Sequence, residues 1–213
     1  MRLPALTRRT MLCRGGQLTL IGGLAACALG GTPPRHFTLR PLPASDAVTG
    51  PTATLAVGLP SALQSLHSER IAYQPQSREL QYFASADWVD RAPDLVRMVM
   101  IRSLQNRTKL QVSAGEIPGL LADYQLNSIL QDFQAERDPS RPTAPFVHVG
   151  WVVSLTRNAP RRIWSGMVCE ARLAADDDRL DSIVAAFEQA TWQALTLLID
   201  WTRAVIGDDR ATN

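Results

Sequence analysis

Lysine is nearly absent from this 213-residue chain: Lys109 is the only one among 22 basic residues. Aromatic residues make up 6% of the sequence, and 20 acids nearly cancel the bases. That leaves no basic stripe interleaved with aromatics, the footprint of nucleic-acid binding, so no nucleic acid is expected as a partner. His36, His67 and His148 lie far apart, none within an HExxH or CxxC spacing, so no metal site is legible and each reads as an ordinary surface side chain. A GxSxG elbow, a Walker loop and a glycine-rich dinucleotide turn are also missing, and no cofactor is expected. Asp87, Asp90 and Asp94 cluster near Trp88 as a glycosidase pair would, but they read as loop and helix-cap acids. The chain is expected not to be an enzyme.

Long apolar runs are missing too. The longest near the start, Leu18 to Ala26, is apolar or small apart from Thr19 and falls far short of the roughly 20 residues a membrane-spanning helix needs. It follows Arg2, Arg8, Arg9 and Arg14, with no acid before Asp46, and ends in Leu24, Ala25, Ala26, Cys27. A basic start, a short apolar run and a terminal cysteine resemble a bacterial lipoprotein export signal. Cys27 is therefore the expected lipidation site, and residues 1–26 the expected signal peptide. An ordinary cleaved signal with an incidental cysteine is the competing reading. Thr7-Arg8-Arg9-Thr10-Met11-Leu12 also resembles a twin-arginine signal, so the export route stays open.

Cysteine is scarce enough to bound the fold. Cys13 leaves with the signal and Cys27 becomes a thioether, so Cys169 stands alone and no internal disulfide is available. Cys169 lies on the apolar side of an expected strand, which predicts a buried, inert thiol. Loss of four arginines turns the formal charge from +2 to −2, with 18 bases left against 20 acids. The remaining 187 residues suit one domain.

Residues 27–51 are rich in Gly, Pro, Thr and Ala, which predicts a lipid anchor and extended tether, with His36–Arg40 as a first edge strand; residues 52–213 form the domain. Thr54–Gly58 reads as a strand. Pro60 predicts a short helix over Ser61–Leu66, and Arg70–Gln74 and Leu80–Ala84 flank a turn at Pro75-Gln76-Ser77. Pro93 and Asp94 open a helix to about Gln105, with Leu95, Met98, Val99 and Arg102 on one stripe, widened by Val96, Met100, Ile101 and Leu104. Leu110–Ser113 and Asp123–Glu136 are extended. Val147, Val149, Trp151, Val153 and Leu155 alternate with His148, Gly150, Val152 and Ser154, and Ile163, Met167, Cys169, Ala171 and Leu173 repeat that alternation. Such a pair predicts a hairpin with one apolar face. Asp176, Asp177 and Asp178 precede a last helix with Leu180, Val184, Phe187, Leu195, Leu198, Trp201 and Val205 as its stripe. They read as capping acids rather than a calcium loop. The mixture of helix and strand is α/β.

The order of these pieces resembles the ABC-type transport auxiliary lipoprotein family, including its PqiC-type branch. The resemblance rests on His36-Phe37-Thr38-Leu39-Arg40-Pro41, on the block Glu69–Leu104, and on the long strand ending Ile129-Leu130-Gln131-Asp132-Phe133-Gln134. Within the block, Ile71, Tyr73, Glu79, Tyr82, Trp88, Pro93, Leu95 and Leu104 occupy the family's structural positions, none of them catalytic. His36 and Phe37 stand where the family more often has tyrosines. The resemblance implies a three-layer α/β/α fold with a mixed sheet and a lipid-anchored periplasmic partner of an MCE-type ABC system moving lipids or other apolar molecules between the two membranes. It implies docking to an MCE-domain protein, and a homo-oligomer is compatible with it. Ala28 after the lipidated cysteine implies the outer membrane, with the inner membrane as the other possibility. A lipid-binding module and an outer-membrane assembly lipoprotein remain as alternative functions.

Overall fold

The computed structural model describes residues 33–45, 48–76, 78–115 and 121–212. Along them run β1 (Arg35–Phe37), β2 (Thr54–Val57), β3 (Ser61–Ala62), β4 (Arg70–Gln76), β5 (Glu79–Trp88), α1 (Ala92–Arg107), β6 (Gln111–Ala114), β7 (Tyr124–Asp138), β8 (Arg141–Arg157), β9 (Arg162–Ala174) and α2 (Leu180–Thr212).

The frame of the sheet is the antiparallel succession β7, β8, β9. The other edge of β7 takes β2, β3 and β4 in turn, all parallel to it. β6 adds parallel to β2, β5 antiparallel to β4, and β1 parallel to β5, so the sheet is mixed.

The core lies on one side of this sheet. Val147, Val149, Trp151, Val153 and Leu155 are fully buried on β8 and meet Leu126, Leu130 and Phe133 from β7. Trp88, Phe133 and Phe187 pack as a trio with ring centroids 5.1–5.4 Å apart, joining β5, β7 and α2. In α1, Pro93 suits a first turn whose amide would find no partner, Asp94 and Arg107 match the helix dipole, and Thr108 closes the end. Both the amide and the hydroxyl of Thr108 donate to the Leu104 carbonyl, at 2.9 and 2.7 Å.

Residues 39–42 run along the seam between the two helices. Leu39 and Leu42 are core residues, the Leu42 amide donates to Ser103 Oγ at 3.0 Å, and Trp192 Nε1 donates to the Arg40 carbonyl at 2.8 Å. Arg40 grips Glu188 on α2 through Nε and Nη2, the latter at 2.6 Å. Burial alone would raise the Glu188 carboxyl, and the Arg40 bonds outweigh it and hold the pKa below its ordinary value. The segment expected to be tether therefore already belongs to the packed body from about residue 35 onward.

The α/β class and the mixed sheet are as expected. Both helices contribute to the one core cluster, on the same face of the sheet. The helix expected over Ser61–Leu66 is instead β3 followed by a single turn, in which the Leu66 amide bonds to the Leu63 carbonyl at 2.9 Å. Six residues cannot offset the cost of nucleating a helix, whereas Ser61 and Ala62 find partners at Ile129 and Leu130. Met98 and Arg102 are exposed on α1, and the buried arc is carried by Leu95, Val96, Val99, Met100 and Leu104. On α2 the buried face centres on Ile183, Phe187, Ala190, Ala194, Leu198 and Ile206, with Leu180, Val184, Trp201 and Val205 at its margin. Ile163 is 61% exposed and Trp164 takes the inward place. The cause is a register shift between Val153 and Leu155 opposite Gly166, where an added Cβ would come within 2.5 Å of the Val153 carbonyl oxygen. One extra residue reverses which side chains face the core.

Candidate functional site

The face of β7, β8 and β9 on which no helix packs among the described residues is built from the alternate residues of the same strands. Ile129, Val152 and Val168 lie directly opposite one another across the three strands, with Ile129 52% and Val168 54% exposed. This is an apolar row open to solvent.

Beside it lies a charged cluster. Register sets Asp132 opposite Gly150 and Glu170, and Gln134 opposite His148 and Arg172. His148 Nδ1 is 3.0 Å from Glu136 Oε1 and its Nε2 is 2.7 Å from Glu170 Oε1, with Asp132 Oδ1 3.8 Å away. Arg172 Nε donates to Glu136 Oε2 at 2.9 Å. Gln134 Nε2 donates to both Asp132 and Glu136, at 3.1 and 3.2 Å. Gly150 makes room: a Cβ there would meet Asp132 Oδ2 at 3.3 Å and Glu170 Cγ at 3.6 Å.

The bond to Glu136, together with the charge of Asp132 and the bond to Glu170, overcomes partial burial and raises the His148 pKa to about 9. His148 in turn holds Glu136 at about 2, helped by Arg172 and Gln134 against burial. At neutral pH the imidazolium donates from both nitrogens, so the cluster ties three strands together and has no free lone pair to act as a base. His148 was expected as an ordinary surface residue. Its strand and face are those expected, but it is largely buried by carboxylates 12 residues before it and 22 after it.

A second polar knot closes the other end of the fold. Asp209, buried on α2, accepts from Arg157 Nη1 at 2.8 Å and from the Tyr124 hydroxyl at 2.8 Å. Burial first, and then the bond to Asp209, raise the Tyr124 pKa. Leu121, Asn158 and Arg210 join these groups around a depression of about 340 Å³.

The residues singled out in the sequence fall into three groups. Ile71, Trp88, Pro93, Leu95 and Leu104 are buried in the core. Tyr73 is partly buried against Phe83, and the Tyr82 hydroxyl donates to the Ser65 carbonyl at 3.0 Å. Glu79 is exposed and accepts from Gln81. Cys27 lies outside the described residues. Asp90 and Asp94 are engaged locally, with the Arg91 amide and with Arg97. Asp177 accepts from the Arg179 amide just ahead of α2. The Cys169 thiol is buried, which pushes its pKa up to about 11.

Among the described residues, no group of three or more His, Cys, Asp and Glu has the geometry to hold a metal ion, and no helix is long and apolar enough to cross a membrane. A family model described as the ABC-type transport auxiliary lipoprotein component matches residues 37–198. The chain belongs to that family. This auxiliary lipoprotein component shares its fold with a crystal structure from Xanthomonas campestris, of the DUF330 family, at TM-score 0.72 and 23% identity, covering 84% of this chain and 98% of the other. A second crystal structure, of a protein titled uncharacterized, reaches TM-score 0.62 at 14% identity over 80% of this chain and 99% of its own. No curated protein matches the chain. The family is described by a transport accessory role and not by a reaction.

Proposed function

We propose that this auxiliary lipoprotein is anchored through Cys27 at the periplasmic face of the outer membrane and docks to the MCE-domain protein of an ABC system that moves lipids or other apolar molecules between membranes. The observation that carries the docking reading is the open face of β7–β9, where the row Ile129, Val152, Val168 borders a charged cluster fixed in place by its own bonds. Exposed apolar side chains rimmed by polar ones mark interaction surfaces. Residues 1–26 are then the signal peptide and Ile71, Tyr73, Glu79, Tyr82, Trp88, Pro93, Leu95 and Leu104 the framework of the body. Seven residues lie between Cys27 and Arg35, so the start of β1 stands within about 30 Å of the lipid even at full extension.

The test is co-purification of the membrane-extracted protein with the MCE-domain protein of its own organism. Capture by the wild type, and loss of capture when Ile129 and Val168 are both changed to Asp, are expected. No binding to any MCE-domain protein, or hydrolysis of a lipid or glycan by the pure protein, overturns the reading. Mass spectrometry of the membrane-extracted protein showing an unmodified Cys27, or a cut elsewhere, overturns the anchor.

A further inference from the structure

The strand β9 pairs with β8 on one side, and among the described residues no strand pairs with its other edge. From Met167 to Ala174 its register with β8 is unbroken, which leaves eight consecutive residues of regular strand with an open row of amides and carbonyls. The outer edges of β1 and β6 are three and four residues long by comparison. An edge of that length is a template for another strand.

The side chains along it are complementary to themselves. Glu170 and Arg172 stand two residues apart on the open face, with side chains 53% and 48% exposed. Cys169, Ala171 and Leu173 alternate with them on the covered face. Antiparallel pairing of two β9 strands about an axis through Ala171 sets Glu170 opposite Arg172 of the second copy and Arg172 opposite its Glu170. Val168 then faces Ala174, Cys169 faces Leu173, and Ala171 faces its counterpart. Every position across the axis is matched in charge or in apolar character, which is what an isologous two-fold contact demands. Within one chain Glu170 bonds to His148 and Arg172 to Glu136, so both charges lean toward β8, and their remaining exposed surface is what a second copy would meet.

We propose that a second copy of this chain occupies the β9 edge, joining two sheets into one across a two-fold axis at Ala171. The open faces of the two copies then run together, with the rows Ile129, Val152, Val168 on either side of the axis. This inference does not depend on the MCE partner.

The decisive measurement is cysteine cross-linking of the full-length protein in its membrane. Under mild oxidation Ala171→Cys is expected to run as a disulfide-linked dimer on a non-reducing gel, whereas Val168→Cys, whose counterpart lies six residues away along the strand, stays single. If Ala171→Cys does not accumulate, the double variant Glu170→Cys, Arg172→Cys gives the same readout from the exposed side. In mild detergent the wild type sediments as a dimer, and Glu170→Arg raises its dissociation constant about tenfold, because two attractive pairs become repulsive. A monomer at every concentration overturns the proposal. So do equal cross-linking at positions 168 and 171, assemblies with an odd number of copies, and cross-linking of Ala171→Cys to a different protein.

Discussion

Val152 and Val153 are neighbours on β8, identical in chemistry, and placed in opposite environments. Val153 is fully buried against the helical layer, while Val152 lies in the open row between Ile129 and Val168. The same holds for the two faces of the sheet. The inner face is close-packed around Trp88, Phe133 and Phe187, where cohesion comes from area removed from water. The open face is held by directional bonds around His148, and its apolar side chains remain in contact with solvent. Most of the cohesion resides in the first, while the second adds directional bonds and keeps apolar side chains exposed.

The comparison can be broken from the inside first. Trp88→Ala removes the ring that joins β5 to Phe133 and Phe187, and is expected to lower unfolding free energy by about 3–5 kcal/mol in chemical denaturation. A variant that keeps wild-type stability while losing function would move Trp88 from the core to the site. Val153→Ala should cost about 2 kcal/mol, from the lost methyl groups and the cavity they leave.

Titration tests the open face. The His148–Glu136 contribution is complete above the carboxyl's ordinary 4.5 and below the imidazole's ordinary 6.5; it fades as pH rises toward 9 and as pH falls toward 2. The two shifts describe one pairing and are not additive, so about 1–2 kcal/mol is expected to disappear between pH 6.5 and 10. His148→Ala should flatten that alkaline decline in the melting temperature, and an unchanged slope would show that the cluster does not hold the strands. The smallest effect belongs to Val152→Ala, which should stay within about 0.5 kcal/mol of wild type by denaturation and show its consequence in partner capture alone.

Much of this architecture was legible along the chain because it rests on local periodicity and local chemistry. The alternation Val147 to Leu155 announces a strand with one apolar face whatever packs against it. Pro93 and Asp94 fix the start of α1 through backbone geometry and dipole, and Cys169 reads as buried from its place in the alternation. The His148 cluster was hidden. Its three carboxylates come from β7 and β9, and counting back from the hairpin turns would misplace them: the shift at Gly166 moves the pairing of Glu170 by one residue, and the shift between Glu136 and Asp138 moves those of Glu136 and Asp132. A glycine in an otherwise regular strand was the one available signal of the first shift.

Sequence alone determined the α/β class, the buried place of Cys169 and the want of a recognisable catalytic motif, because each depends on residues within a turn or two of one another. Only the tertiary structure decided that both helices cover one face, that residues 39–42 belong to the body, and that His148 carries a proton among carboxylates. Those outcomes depend on register and crossover between distant segments. A one-residue shift there exchanges core for surface, and no local propensity records it.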